Sequence, residues 1–276
     1  MSTKLKNPVV GFPKEWGRFF ERNPHWPQAL GNLHQTLEKV FIRDAKINKP
    51  SERIVFFMGR LCAEDFNEIF LLAANGYGFG SLKILRGLYE RVVTTAYISQ
   101  NESEAEQFLE YHFIHSGKLI THAETFLGNL EKYIDKEEIL NIKSDFEKYK
   151  EKFQQTACKK CKTQRIMLSW SKLDIAAMAA KTQLDQLYFP GYYFPTIQSH
   201  ATASSIVHRI KSSENGAISF NEASQPEIAD RALIIAHNLV VRLIDIQNDY
   251  FSLNISKDME LLLKDFKLVW GESAKS

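Results

Sequence analysis

The chain has 276 residues, 44% of them apolar and 25% charged, with 35 lysines and arginines against 33 aspartates and glutamates. That length can bury a sizeable core without a cofactor, and a charge so nearly balanced carries no argument for nucleic acid by itself. Three cysteines, Cys62, Cys158 and Cys161, are too few for a disulfide framework. With no signal-peptide pattern at the start of the chain, the expected compartment is the cytoplasm. The longest apolar run, Ala232 to Ile246, is interrupted by His237, Asn238, Arg242 and Asp245. It predicts a buried helix and no membrane association.

In chain order, residues 1 to 27 mix Pro8, Pro13, Pro24 and Pro27 with Phe12, Trp16, Phe19, Phe20 and Trp26, which predicts an irregular arm packed on the body. A helix follows from Gln28 to about Ile47, and Pro50-Ser51-Glu52 restarts the chain into an apolar helix from Ile54 to Ala74. Residues 1–50 are therefore expected to lie as an arm and first helix on a helical bundle spanning 51–272. The Asn75, Gly76, Gly78, Gly80 cluster has neither a preceding β-branched strand nor a Gly-Lys-Ser/Thr sequence after it. Close helix packing explains it better than a phosphate loop.

The next helix organises the rest. At about 100° per residue, Leu82, Leu85, Tyr89, Val93 and Ala96 form one apolar stripe with Arg86 on its border. Glu90, one turn on, is positioned to satisfy that arginine. Arg91 points the other way, to water. Ser103-x-x-Glu106 predicts a capping box for a helix over about 104–130. There His112, His115 and His122 share a side with Phe108, Leu119 and Phe126 and are expected to face inward. They read either as core-edge histidines or as the lining of a cleft.

Residues 131–165 alternate lysine and glutamate and then turn basic, the pattern of a charged helical excursion. Cys158-x2-Cys161 is half of a zinc site, but no second pair or His-x3-His accompanies it, so no metal is expected. An alanine-rich helix and the aromatic Pro-Gly connector from Tyr188 to Pro195 follow. A single helix is then expected from Thr196 to about Lys211, with His200, Ser204 and His208 in one row at i, i+4 and i+8. Ser224-x-x-Glu227 caps the last long helix, which is apolar on two sides and so central. Its polar strip, Arg231, Asn238, Arg242, Asp245 and Asp249, is a solvated face or a seam with a partner, a homo-oligomer being one such arrangement. The tail after Ser273 is expected to be disordered. Every long apolar pattern is helical and none repeats at solenoid spacing, so the fold is expected to be all-α, an irregular bundle of about eight or nine helices.

The glycine-containing helix leading into Leu85-Arg86-x-Leu88-x-Glu90, then Ser169-Trp170-Ser171, then Tyr192-Tyr193-x5-Ser199-His200, resembles a bacterial helical family catalogued as domain of unknown function 5677. The resemblance covers roughly residues 55 to 245. It implies an all-helical cytosolic protein whose Arg86, Glu90, Tyr193 and His200 stand at the family's recurrent polar positions, and it brings no established reaction. A weaker likeness joins Arg231-x5-His237 to helical ribonucleases and toxins with an Arg-x4-6-His motif. Here Ala232 replaces the polar residue that often follows the arginine, and His237 falls among Leu233, Val240 and Val241.

Two functions follow as expectations. In the first, a binding or regulatory module uses Arg86, Glu90, Tyr193, His200, Ser204 and His208, with His115 and His122, to line a polar cleft for a small ligand or peptide, without a cofactor. His200 then lies within reach of Arg86 and Glu90, and Tyr193 closes the rim. In the second, a metal-independent RNase-like enzyme of a defence or toxin system uses His200 and His208 as acid and base and Arg86 to stabilise the phosphorane of an RNA substrate.

Overall fold

The computed structural model describes residues 11–157, 161–212 and 216–271. The start of the N-terminal arm, Cys158 and the tail after Ser273 lie outside them. Helix accounts for 74% of the structure and strand for 4%, so the class is all-α. There are 11 helices among the described residues, not eight or nine.

In order these are α1 (Glu15–Arg22), α2 (Trp26–Phe41), α3 (Pro50–Ala74), α4 (Gly78–Gln100), α5 (Ala105–Leu127), α6 (Lys136–Lys150), α7 (Ile175–Lys181), α8 (Phe194–Ser199), α9 (Ala203–Val207), α10 (Pro226–Phe251) and α11 (Ser256–Trp270). Two small antiparallel hairpins interrupt them. Gln154–Thr156 (β1) pairs with Gln164–Ile166 (β2), and Ile210–Ser212 (β3) with Ile218–Phe220 (β4). The larger count has identifiable sources: α1 forms within the segment read as an irregular arm, the helix read over 196–211 is split, and α11 follows α10.

Helix α4 is the axis. It packs on α3, α10, α7 and α8. Its predicted stripe is buried throughout, and Leu88, Val92, Tyr97 and Ile98 are buried as well, which makes the helix apolar on more than one side. The α3 start is fixed by Glu52, whose carboxylate accepts the backbone N–H groups of Asn48 (2.6 Å) and Lys49 (3.0 Å). The capping boxes read at Ser103 and Ser224 do not form. Helices α5 and α10 begin after Glu104 and Gln225, neither with a side-chain cap.

The glycine cluster serves packing. The backbone N–H of Gln225 donates to Gly76 O (2.9 Å), and a Cβ on Gly78 would stand 2.7 Å from the Gln225 carbonyl oxygen and 2.8 Å from the Ala229 nitrogen. The first turns of α4 and α10 are thus in backbone contact. At the far end of α10, α11 closes the bundle against α2 and α10. The last turn of α11 reaches the middle of α10, where the buried Trp270 Nε1–H donates to Nδ1 of the buried His237 (3.0 Å).

Of the charged stretch, α6 folds onto α5. Ile120, Leu130 and Ile139 form a small core of their own, and Phe153 joins the main one. Outside, Lys143 reaches Glu124 (2.6 Å) and Lys152 pairs with Glu110. No helix among the described residues is long and apolar enough to cross a membrane.

Candidate functional site

Arg86 and Glu90 lie one turn apart on α4, and Nη2 of Arg86 donates to Oε1 of Glu90 (3.2 Å). From the other guanidinium end Nη1 donates to Nε2 of His200 (3.2 Å). Arginine has no acceptor, so Nε2 must accept and the imidazole proton sits on Nδ1. The fourth member is Tyr192, whose ring centroid lies 5.3 Å from the guanidinium carbon. Burial alone would lower the Arg86 pKa, but the Glu90 carboxylate and the Tyr192 hydroxyl outweigh it and hold it above the usual value. The Tyr192 phenol is pushed up, first by burial and then by the Glu90 charge, with Arg86 pulling against both. Arg86 Nε is buried without a hydrogen-bond partner.

Local chain geometry explains the grouping. Residues Phe189–Tyr193 form a π-helical segment running straight into α8. Residues four apart share a side of it, so Tyr188 lies beside Tyr192 (5.3 Å between rings) and Phe189 beside Tyr193 (5.8 Å). The first pair faces α4, where Tyr192 and Tyr188 also approach Tyr89 (5.9 and 6.3 Å). Tyr193 is half exposed. It is therefore Tyr192, not Tyr193, that closes the site. Gly191 permits the approach, since a Cβ there would stand 2.9 Å from Cδ2 of Tyr89.

Next to this cluster lies a half-open cavity of about 530 Å³, with Glu90, Thr94, Ser169, Trp170, Asp174, Tyr188 and Tyr192 among its walls. Sequence reasoning left Thr94, Asp174 and Tyr188 out of the site. One signal was present: Arg86, Glu90 and Thr94 make a row at i, i+4 and i+8 along α4.

Other expected residues do not join. The helix read over 196–211 breaks at His200, which is extended (φ −100°, ψ 156°) at the end of α8, and restarts when Thr202 caps α9 by accepting from Ser205 N (3.3 Å). Extended backbone destroys the i, i+4, i+8 row. Ser204 is exposed, and His208 packs edge-on to Phe194. His112, His115 and His122 are also exposed, contrary to the inward reading. The buried face of α5 is instead Tyr111, Ile114, Gly117 and Ile120, because Phe146 of α6 seats directly on Gly117. Leu119 and Phe126 consequently point outward, 68% and 82% exposed. Arg91 is not merely solvated but pairs with Asp65 of α3. Arg231 is exposed whereas His237 is in the core, so the Arg-x5-His pair is not assembled. Among the described residues no three His, Cys, Asp or Glu side chains cluster as a metal site.

The Arg86 and Glu90 side chains are 29% and 40% exposed, so the pair is half-solvated rather than buried. Glu90→Ala is accordingly expected to cost only about 0.5–1 kcal/mol in urea unfolding, within the range of partly exposed ion pairs. A loss of about 3 kcal/mol would instead mark a buried pair.

These features define an all-helical protein with a polar cluster and cavity built on its central helix. The chain belongs to the family of unknown function DUF5677, whose model matches residues 52–218. The matched stretch contains Arg86, Glu90, Trp170, Tyr192 and His200, and it ends before α10. No curated protein and no solved structure matches the chain.

Proposed function

We propose that the chain is a binding module that takes a small ligand in the cavity beside Arg86, Glu90, Tyr192 and His200. One observation carries the reading: side chains from three separated stretches of sequence converge on α4 at the edge of a cavity of about 530 Å³, within the usual range for small-molecule sites. The RNase-like reading draws less support. His208, its second acid–base group, sits against Phe194 on a separate element, and Arg231 and His237 are apart.

Ligand-observed NMR with a mixed library of cationic, neutral and anionic small molecules tests the proposal. At least one compound is expected to bind the wild type and to lose binding in Thr94→Trp, which fills the cavity. Hits that persist unchanged in the filled variant would place the site elsewhere and overturn the reading. In parallel, incubation with RNA is expected to give no turnover. Cleavage that disappears in a folded His200→Ala variant would replace the binding reading with the enzymatic one.

A further inference from the structure

We propose that the ligand of this cavity is a small organic cation, its ammonium group held between Trp170, Tyr188 and Tyr192 and faced by Glu90 and Asp174. The inference rests on the cavity being a ligand site and names the chemistry it selects. Charge sign comes first. Among the described residues that line the cavity, the formally charged ones are Glu90 and Asp174, both carboxylates. Arg86 does not line it, and its two terminal nitrogens are engaged by Glu90 and His200. With Glu90 already paired to Arg86 behind the wall, the two carboxylates and that guanidinium leave the cavity one negative charge in excess, carried by Asp174, so an anion entering this partly desolvated space is repelled and a cation is not.

The walls also suit a cation in shape and polarisability. Trp170 is 9% exposed and braced edge-on by Phe108 (5.2 Å), while Tyr188 and Tyr192 brace each other (5.3 Å). The rings belong to two separate segments, the Ser169-Trp170-Ser171 stretch and the π-helical connector. Aromatic faces attract ammonium groups through their quadrupole, most strongly for alkylated ammonium, whose methyl groups also match the apolar wall at Met178. Asp174 is held in place as the α7 N-cap, its Oδ1 accepting from Ala177 N (2.8 Å).

The test uses the full chain and sets of compounds built on shared benzyl, butyl and cyclohexylmethyl skeletons, each as primary ammonium, trimethylammonium, alcohol and carboxylate. Affinities are read by NMR titration. The ammonium members are expected to bind about tenfold tighter than the alcohols, and the carboxylates not at all. Asp174→Asn keeps the cap, because asparagine serves as well there, and should melt with the wild type. It is expected to weaken ammonium binding about five- to tenfold, the scale of one partly screened charge pair, and to leave the alcohols unchanged. If alcohols or carboxylates bind best, and Thr94→Trp expels them, the cation assignment fails while the binding module stands. If no charge class binds, both fail.

Discussion

Gly78→Ala is expected to be among the most damaging single-methyl changes in this protein, lowering stability by about 3 kcal/mol and the melting temperature by roughly 6–12 °C. The added carbon would stand 2.7 Å from the Gln225 carbonyl oxygen, 2.7 Å from Cβ of Ile228 and 2.8 Å from the Ala229 nitrogen. Two of those three atoms are backbone, so no rotamer change relieves the contact and the first turns of α4 and α10 must separate. Gly31 of α2 is the control. Nothing lies within 4 Å of a Cβ built there, and alanine at that helical position should stabilise by about 0.5–1 kcal/mol. Chemical denaturation of both variants checks the pair of signs, and a Gly78→Ala protein as stable as its parent would refute the close approach.

Acidification should weaken the packing of α11 on the middle of α10 through His237. Burial lowers its pKa to about 4, against roughly 6.5 for an unfolded histidine. Because the folded value is the lower one, the unfolded chain binds the proton first as pH falls. The contribution is therefore whole above about pH 6.5 and is lost progressively down to about pH 4. Geometry agrees with the sign: a second ring proton would fall on Nδ1, where the Trp270 N–H already points from 3.0 Å. Between pH 7.5 and pH 5.0 the loss from this group is expected to be about 2 kcal/mol. Asp65, Asp230 and Asp245, whose pKa values burial raises, respond to acid with the opposite sign, so the histidine's share is read only as the difference between wild type and variant. Urea unfolding of wild type and His237→Gln at both pH values isolates the effect, and a variant with the same pH dependence as the wild type would show that His237 does not titrate as its burial requires.

Most of the helical frame was legible because helices write their buried face as a period. The stripe Leu82, Leu85, Tyr89, Val93, Ala96 could be read from sequence, and all five side chains are buried. The same reasoning inverted α5. Hydrophobic residues signal a packed face only where no glycine offers a closer seat, and Gly117, invisible to a hydrophobic count, receives Phe146 while Phe126 points outward. The pairing of Arg86 with Glu90 was legible from i, i+4 spacing. The remainder of the site depends on backbone that leaves the α-helical period. Tyr192 takes the position expected of Tyr193 because the connector is π-helical, and the histidine row dissolves because Thr202 caps a new helix. A cavity formed between elements distant in sequence leaves no periodic trace, so Asp174 and Tyr188 carried no signal.

The π-helical connector also sets the phase of the helix that follows it. In an ordinary helix each residue advances the azimuth by about 100°, more than in a π-helix, so the same five residues wound as ordinary helix would deliver α8 rotated by about a quarter-turn. The ring of His200 would then be carried off the Arg86 guanidinium, and the tyrosine four residues after Tyr188 would no longer lie over α4. The meeting of two side chains 114 positions apart in sequence thus hangs on how a five-residue segment is wound.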